Sequence, residues 1–207
     1  MILDPARTSH GDFYRFMVSV VVPRPIAFVS TVGARGGFNV APFSFFNAIA
    51  SRPPLLAFST TLRQGAPKDT LRHIRETGDF VVNVVSEELF DRMVHTSGDW
   101  PGDVSEFDLA GLTAVPSDLV KSPRVGESPV SMECTLHREV ELGDAVLVVG
   151  EIVRAHVSDS VVVDGRVDAL LLRPVARLGG DQYTIVRDLE RRARPKVEGA
   201  GSSGGGR

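Results

Sequence analysis

The apolar positions fall into short runs punctuated by glycine and proline. Between Arg24 and Thr61 three runs follow one another. Ile26–Val32 ends in the turn Gly33-Ala34-Arg35-Gly36-Gly37, Phe38–Ala50 comes next, and Leu55–Thr61 follows the Pro53-Pro54 break. Runs of this length between such breakers predict a strand–turn–strand–break–strand meander. The middle run carries unusual polar content, with Asn39, Ser44 and Asn47 set among phenylalanines. Amide and hydroxyl groups in that setting suit a wall that holds a flat, heteroatom-rich ligand.

The clearest alternation lies later. Val130, Met132, Cys134, Leu136, Val140 and Leu142 alternate with Ser131, Glu133, Thr135, His137, Glu139 and Glu141. A period of two predicts a strand with one buried and one wet face. Gly143-Asp144 supplies a two-residue turn. Ala145–Val157 returns as a strand interrupted by Gly150, which predicts a bulge or a close approach. Asp164-Gly165 reads as a further hairpin turn.

Helical patterns are fewer. Phe13–Val22 predicts a short helix running into a strand, and Pro23 and Pro25 hold Arg24 extended. In KDTLRHIRETG, Leu71 and Ile74 give one apolar face and Gly78 a stop. Asp79–Val85 reads as a buried strand whose Asn83 serves backbone groups. Ser86-Glu87-Glu88 opens a second helix with Leu89, Phe90, Met93 and Val94 on its apolar face, and Glu106–Thr113 a third, short one. His95–Pro101 is a loop whose Trp100 is read either as a stacking surface or as part of a dimer contact.

Composition narrows the function classes. The 207 residues are 43% hydrophobic and 24% charged, with a net charge of -3. That balance fits a globular fold with a sizeable core and favours neither nucleic acid nor an anionic membrane as partner. The apolar runs are too short to span a bilayer, and the first residues lack a signal-peptide pattern. A single cysteine, Cys134, reads as core and leaves no internal disulfide, so a cytoplasmic location is expected. Residues 1–190 read as one domain. The tail 191–207 is basic and then Gly/Ser-rich, and is expected to be flexible.

The motifs PRPIAFVST, N-x-APFSFFN, PPLLAFS and KDTLRHIRETGDFVVNVVS occur in this order. Together they resemble the flavin-reductase-like FMN-binding split-barrel proteins, in the subgroup associated with flavoprotein oxygenases. The resemblance spans roughly residues 10–185. It implies a mainly β fold with flanking helices, a split β-barrel that binds FMN at a homodimer interface. It also implies NAD(P)H as electron donor, with FAD as an alternative flavin and a partner monooxygenase as one possible recipient of reduced flavin. In the family the K-D-T segment approaches the FMN phosphate, and the loop between Val115 and Pro129 shapes the substrate opening.

The candidate cofactor-binding residues follow from both readings. Lys68, Asp69 and Thr70 begin a helix, whose free N–H groups and partial positive charge suit a phosphate. Taken alone this is an ordinary helix start; with Ser30, Thr31, Ser59 and Thr60 on strands expected nearby, a phosphate site is favoured. Asn39, Ala41, Ser44, Phe45, Phe46 and Asn47 belong to the ligand wall, with one of the two phenylalanines facing inward. The site thus requires Lys68 and Thr70 to share a cleft with Thr31 and Ser44. Arg24 is either a surface residue or a cation near the phosphate or the substrate mouth. Arg177 and Gly179, in R-P-V-x-R-L-G-G-x-x-Y, either close the barrel or border the flavin.

Neither a GxGxxG nor a Walker pattern is present, and cysteine and histidine are too scattered for a zinc site, so no metal is expected. No acid or base stands out, which fits a cofactor that carries the chemistry itself. Ala145 stands where many small flavin reductases carry a histidine linked to the nicotinamide nucleotide. The expected function is therefore an FMN-binding flavin-dependent oxidoreductase of the NAD(P)H:flavin reductase kind. The alternative is an FMN-binding electron carrier or flavin store without NAD(P)H activity. A third reading, a barrel holding haem or a pyridoxal phosphate-type compound, would make His137 or His156 the test case.

Overall fold

The computed structural model describes residues 1–62, 65–98, 100 and 104–195. Asp99 and Pro101 of the predicted loop, and residues 196–207 of the predicted tail, lie outside the described residues. The chain runs through α1 (His10–Val20), β1 (Arg24–Pro25), β2 (Ala27–Val32), β3 (Phe38–Phe43), β4 (Phe46–Ser51), β5 (Pro54–Thr61), α2 (Asp69–Thr77) and β6 (Asp79–Val84). It continues through α3 (Phe90–Thr96), α4 (Glu106–Leu109), β7 (Ala114–Val115), β8 (Arg124–Val125), β9 (Val130–Leu142) and β10 (Ala145–Val157). The last elements are β11 (Val162–Val163), β12 (Arg166–Val167), α5 (Ala169–Leu172), β13 (Val175–Arg177) and β14 (Tyr183–Ile185).

Seven antiparallel strands form the main sheet in the order β3-β2-β6-β9-β10-β5-β4. A small sheet, β1-β13-β14, stands beside it. The predicted run Phe38–Ala50 is two strands rather than one. It breaks at Ser44-Phe45, and its halves lie at opposite edges of the sheet. The sheet curls enough to bring β3 against β5. Inside it Phe43, Phe58 and Phe80 meet with ring centroids 4.8 and 5.6 Å apart. Leu71 and Ile74 of α2 are fully buried against this core, each contributing about 2 kcal/mol of apolar transfer. The helix stops at Gly78, whose φ of 76° places it in the left-handed region where a side chain is disfavoured. A second core lies under α3 and α4, where Phe28, Val40, Leu89, Met93 and Phe107 meet.

The hairpin β9–β10 turns at Gly143-Asp144 as predicted, with Leu142 opposite Ala145. Gly150 is both irregular and crowded: the register shifts beside it, and a Cβ there would lie 2.3 Å from Phe80 Cζ. α1 begins with the Ser9 hydroxyl accepting from Asp12 N–H at 3.1 Å and ends at Val20, so the predicted strand continuation shrinks to Arg24–Pro25. The second predicted helix starts as a 3-10 turn at Glu87–Leu89 before α3; Leu89 and Met93 are buried while Val94 is exposed.

One face is reversed from expectation. Ser131 and Glu133, read as wet, are buried, because residues 116–125 lie across the sheet as a strap. The Glu133 carboxylate accepts from Asp118 N–H at 2.8 Å, Leu119 N–H at 2.7 Å and His156 Nε2 at 2.6 Å. Burial alone would raise this carboxyl. The hydrogen bonds from Asp118 N–H, His156 and Leu119 N–H outweigh that and hold it below the usual carboxylate range. Asp79 anchors the middle of the strap through Lys121 N–H and Ser122 N–H, both at 3.1 Å. Among the described residues no helix is long and apolar enough to cross a membrane.

Candidate functional site

Two adjoining clefts open between β3, the start of α2 and α4. The larger, about 430 Å³, is bordered by Asn39, Ala41, Pro42, Phe43, Lys68, Asp69, Thr70, Ser97, Trp100 and Glu106. The smaller, about 240 Å³, runs on past Asn39, Asp69 and Glu106 to His73, Arg72, Glu76 and the Gly33–Gly37 turn. Asn39 sits on the wall between them because β3 alternates. Val40 points into the second core, while the exposed Phe38 borders the smaller cleft beside Asn39.

α2 begins at Lys68 in extended conformation, and no side chain caps its first turn. N–H groups of that turn therefore lack an intrahelical partner. Lys68 and Thr70 line the larger cleft at this point. The Asn39 amide lies 2.9 Å from Thr70 Oγ1 and 3.5 Å from Thr31 Oγ1. Thr31 is in turn 3.2 Å from His73 Nδ1. This end offers donors and positive charge, and the roomier end offers Ala41, Pro42, Phe43 and Trp100. A phosphorylated planar heterocycle fits that division of chemistry.

The structure thus brings together Asn39, Ala41, Lys68, Asp69 and Thr70 at the cleft, while Thr31 is fully buried against Asn39 and His73 and borders neither cleft. It does not bring Ser44 to the described cleft. Ser44, the residue after the end of β3, lies 3.4 Å from Arg24 Nε. Arg24 is buried, and its guanidinium donates to the carbonyls of Val18 and Val21 at 2.7 Å and of Leu178 at 2.8 Å. Those bonds tie α1 to the loop after β13 and leave Arg24 as neither the surface residue nor the cleft cation of the sequence reading. Ser30 points to the strap, donating to Pro123 O and accepting from Asn83 Nδ2 at 3.0 Å. Phe46 packs on the core and Phe45 is exposed, so one of the pair faces inward. Asn47 is exposed on β4. Ser59 is half-buried on β5, where its N–H donates to Phe45 O at 2.8 Å. Arg177 packs over the Tyr183 ring and donates to its hydroxyl and to Gly180 O. Gly179 approaches Ser19, where a Cβ would lie 3.1 Å from Oγ. These last residues border the small sheet rather than the cleft.

Two residues at the cleft escaped the sequence reading. His73 is buried, with Gly33 so close that a Cβ there would lie 2.8 Å from Nε2. Burial and then the nearby Arg72 push its imidazole below its usual value, against the pull of Asp69 and Glu76. Glu106 borders both clefts, and burial, joined by the charge of Asp69, raises its carboxyl despite backbone N–H groups that favour the ion. Both stand in charged helical stretches that resemble a solvated face. The available signal was the spacing of Thr70 and His73, three residues apart on one side of a helix.

Other groups named from sequence lie away from the cleft. His137 is 3.9 Å from Glu151 on the sheet surface, and His156 is engaged by Glu133. Neither borders the described clefts, and Asn83 serves backbone groups as expected. Trp100 stacks on His95 with centroids 5.4 Å apart. Asp118, Glu133 and His156, distant in sequence, do converge, with ligand-capable atoms within 4.8 Å of one another. Cys134 is buried, and burial raises its thiol, which makes it a core residue without reactive character.

Comparison with known proteins agrees with this architecture. The flavin reductase like domain matches residues 17–171. An uncharacterized protein of Aquifex aeolicus is 41% identical over 180 residues, 86% of this chain and 92% of its own. Nitrilotriacetate monooxygenase component B from Bacillus cereus superposes with a TM-score of 0.90 at 34% identity, covering 93% of this chain and 98% of that one. The 2-nitrobenzoate 2-nitroreductase NbaA of Pseudomonas fluorescens superposes with a TM-score of 0.87 at 31% identity, over 97% and 100% of the two chains.

Proposed function

The chain belongs to the flavin reductase like family, and from that membership we propose that it is an FMN-binding flavin-dependent oxidoreductase of the NAD(P)H:flavin reductase kind. The observation that carries this is the uncapped start of α2 opening, beside Lys68 and Thr70, into a cleft of about 430 Å³. Such a volume lies in the range of small-molecule sites. Lys68, the Thr70 hydroxyl and the first N–H groups of α2 would hold the phosphate. Asn39 and Ala41 would border the polar edge of the ring, and Pro42, Phe43 and Trp100 would shield it from water. Bound flavin supplies hydride acceptance and donation. The residues of the chain then bind and orient, and none is required to act as acid or base.

The protein is proposed to work as a cytoplasmic homodimer. β4 is an edge strand, exposed from Asn47 onward, with Ile49 and the preceding Phe45 open to solvent. α1 and the residues after it expose Tyr14, Val20, Val21 and Val22. A second copy laid along these surfaces would cover apolar area and bring Ser44, Phe45 and Asn47 toward a flavin. A similarity to a monooxygenase component B supports a partner monooxygenase as recipient of reduced flavin. FAD stands as an alternative to FMN.

Ala145 favours a second reading, an FMN-binding electron carrier or flavin store without its own NAD(P)H activity. The test is a visible spectrum of the purified protein followed by NADH or NADPH without oxygen. Bleaching of a flavin band supports the reductase. A yellow protein that does not bleach supports the carrier. A protein that takes up no FMN contradicts both.

A further inference from the structure

Asn39 lies within hydrogen-bonding reach of both Glu106 and Thr70. Its amide can be oriented two ways, and each way fixes the direction of a short hydrogen-bonded chain. In one orientation its NH2 donates to Glu106 Oε1 at 3.3 Å, while its carbonyl accepts from Thr70 Oγ1 at 2.9 Å and from Val40 N–H at 3.3 Å. That orientation accommodates Glu106 as a carboxylate, and the single proton of Thr70 is spent on Asn39. In the other orientation the Asn39 NH2 donates to Thr70 Oγ1 at 2.9 Å and to Thr31 Oγ1 at 3.5 Å, and faces the Val40 N–H without a bond to it. Its carbonyl then faces Glu106 and requires a protonated carboxyl as donor. The Thr70 proton is released toward the larger cleft, at the start of α2.

We propose that Glu106, acting through Asn39, sets the direction of the Thr70 hydroxyl, so that an anionic group is bound at the start of α2 with uptake of one proton by Glu106. The inference rests on the reading that the flavin phosphate sits there. It makes Glu106 a positioning residue. A phosphate oxygen accepts and cannot donate when fully ionised, so it selects the arrangement in which Thr70 points its proton outward. Binding then favours protonated Glu106, and by linkage affinity falls by up to about tenfold per pH unit where Glu106 loses its proton.

Several other charges face this carboxyl. Lys68, Asp69, Arg72, His73 and Glu76 come from α2 and its cap, and Arg35 from the turn after β2. β3 contributes the amide of Asn39 and the Val40 N–H, which favours the ionised form of Glu106. On α3, Arg92 is 3.2 Å from Glu127, and His95 is stacked on Trp100; Asp108 shares α4 with Glu106. Of these His73 also titrates on the acid side, because its burial lowers it while burial raises Glu106. Simple repulsion between Glu106 and a phosphate would give proton uptake as well, but it would not pass through Thr70.

The experiment is calorimetric titration of the protein with FMN in buffers of different ionisation enthalpy, which counts protons taken up. Glu106→Gln retains a donor toward Asn39 and should lose the uptake seen in wild type, the titration of the phosphate itself being common to both. Thr70→Val should match Glu106→Gln, whereas Thr70→Ser and His73→Gln should keep the Glu106 share. Riboflavin, lacking the phosphate, should bind wild type without that share, which provides a test even if a variant fails to fold. Equal uptake in wild type and Glu106→Gln, or undiminished uptake in Thr70→Val, overturns the inference while the flavin reading stands. Absence of FMN binding at every pH removes both.

Discussion

Two regions of this molecule bury the same kinds of side chain and use them differently. Under the strap, Asn83 donates twice, to Phe28 O and Ser30 Oγ at 3.0 Å, and accepts twice, from Val125 N–H at 3.0 Å and Ser131 Oγ at 2.9 Å. Its four hydrogen-bonding positions are filled in one arrangement. Asn39, at the cleft, has neighbours that serve as donor or acceptor, namely Thr70, Thr31 and Glu106. A filled network fixes backbone in place. A network with two directions, opening on a cleft, can respond to a ligand.

The strongest way to break this contrast is at Asn83. Asn83→Leu strands the Val125 N–H and the Ser131 hydroxyl and removes the donor to Phe28 O and Ser30 Oγ, and should cost about 3–5 kcal/mol in urea unfolding. The FMN affinity of the folded fraction should change little. If the two losses are equal, the regions are not separate. Glu133→Gln should cost about 2 kcal/mol at neutral pH, since one charge-assisted acceptor of two N–H groups becomes a neutral amide. The pH dependence sharpens this. The folded carboxyl of Glu133 lies below its unfolded value. Its stabilisation is therefore complete above the unfolded value and is lost as pH falls through the folded one. Wild type should lose stability over that acidic interval, and Glu133→Gln should lack this component when both are unfolded at a series of pH values.

On the cleft side, Gly33→Ala places a Cβ 2.8 Å from His73 Nε2, and should cost about 1 kcal/mol by thermal unfolding as the ring shifts away from Thr31. The smallest effect belongs to exposed β4. Asn47→Ala should stay within about 0.5 kcal/mol of wild type in stability. Any loss of flavin affinity from it should appear together with the dimer in a concentration series.

The local architecture was legible wherever one signal sufficed. The Gly143-Asp144 turn, the irregularity at Gly150 and the stop at Gly78 each follow from backbone requirements of a single residue or pair. The lysine-led start of α2 and the polar residue Asn39 on β3 were also readable, and they are what the cleft is made from. What failed was knowledge of what covers a face. Period two placed Ser131 and Glu133 on one side of β9 correctly, but nothing in that pattern announces a strap lying across them. Ser44 and Asn39 looked like neighbours in one segment, yet a break two residues long sends β3 and β4 to opposite edges of the sheet. Arg24 and Ser30 are polar groups near the right strands whose partners are backbone carbonyls. Beside the nearby Val18 and Val21, those partners include Leu178 and Pro123, far along the chain, which no local spacing foretells.

The central claim is that the anionic end of a flavin lies where Lys68 and Thr70 begin α2. It is tested most directly by titrating wild type and Lys68→Ala with FMN and with riboflavin, following the quenching of flavin fluorescence. The account predicts that Lys68→Ala weakens FMN by about tenfold, in line with one charge-assisted contact, and leaves riboflavin unchanged. An equal change for both ligands, or none for FMN, would contradict it.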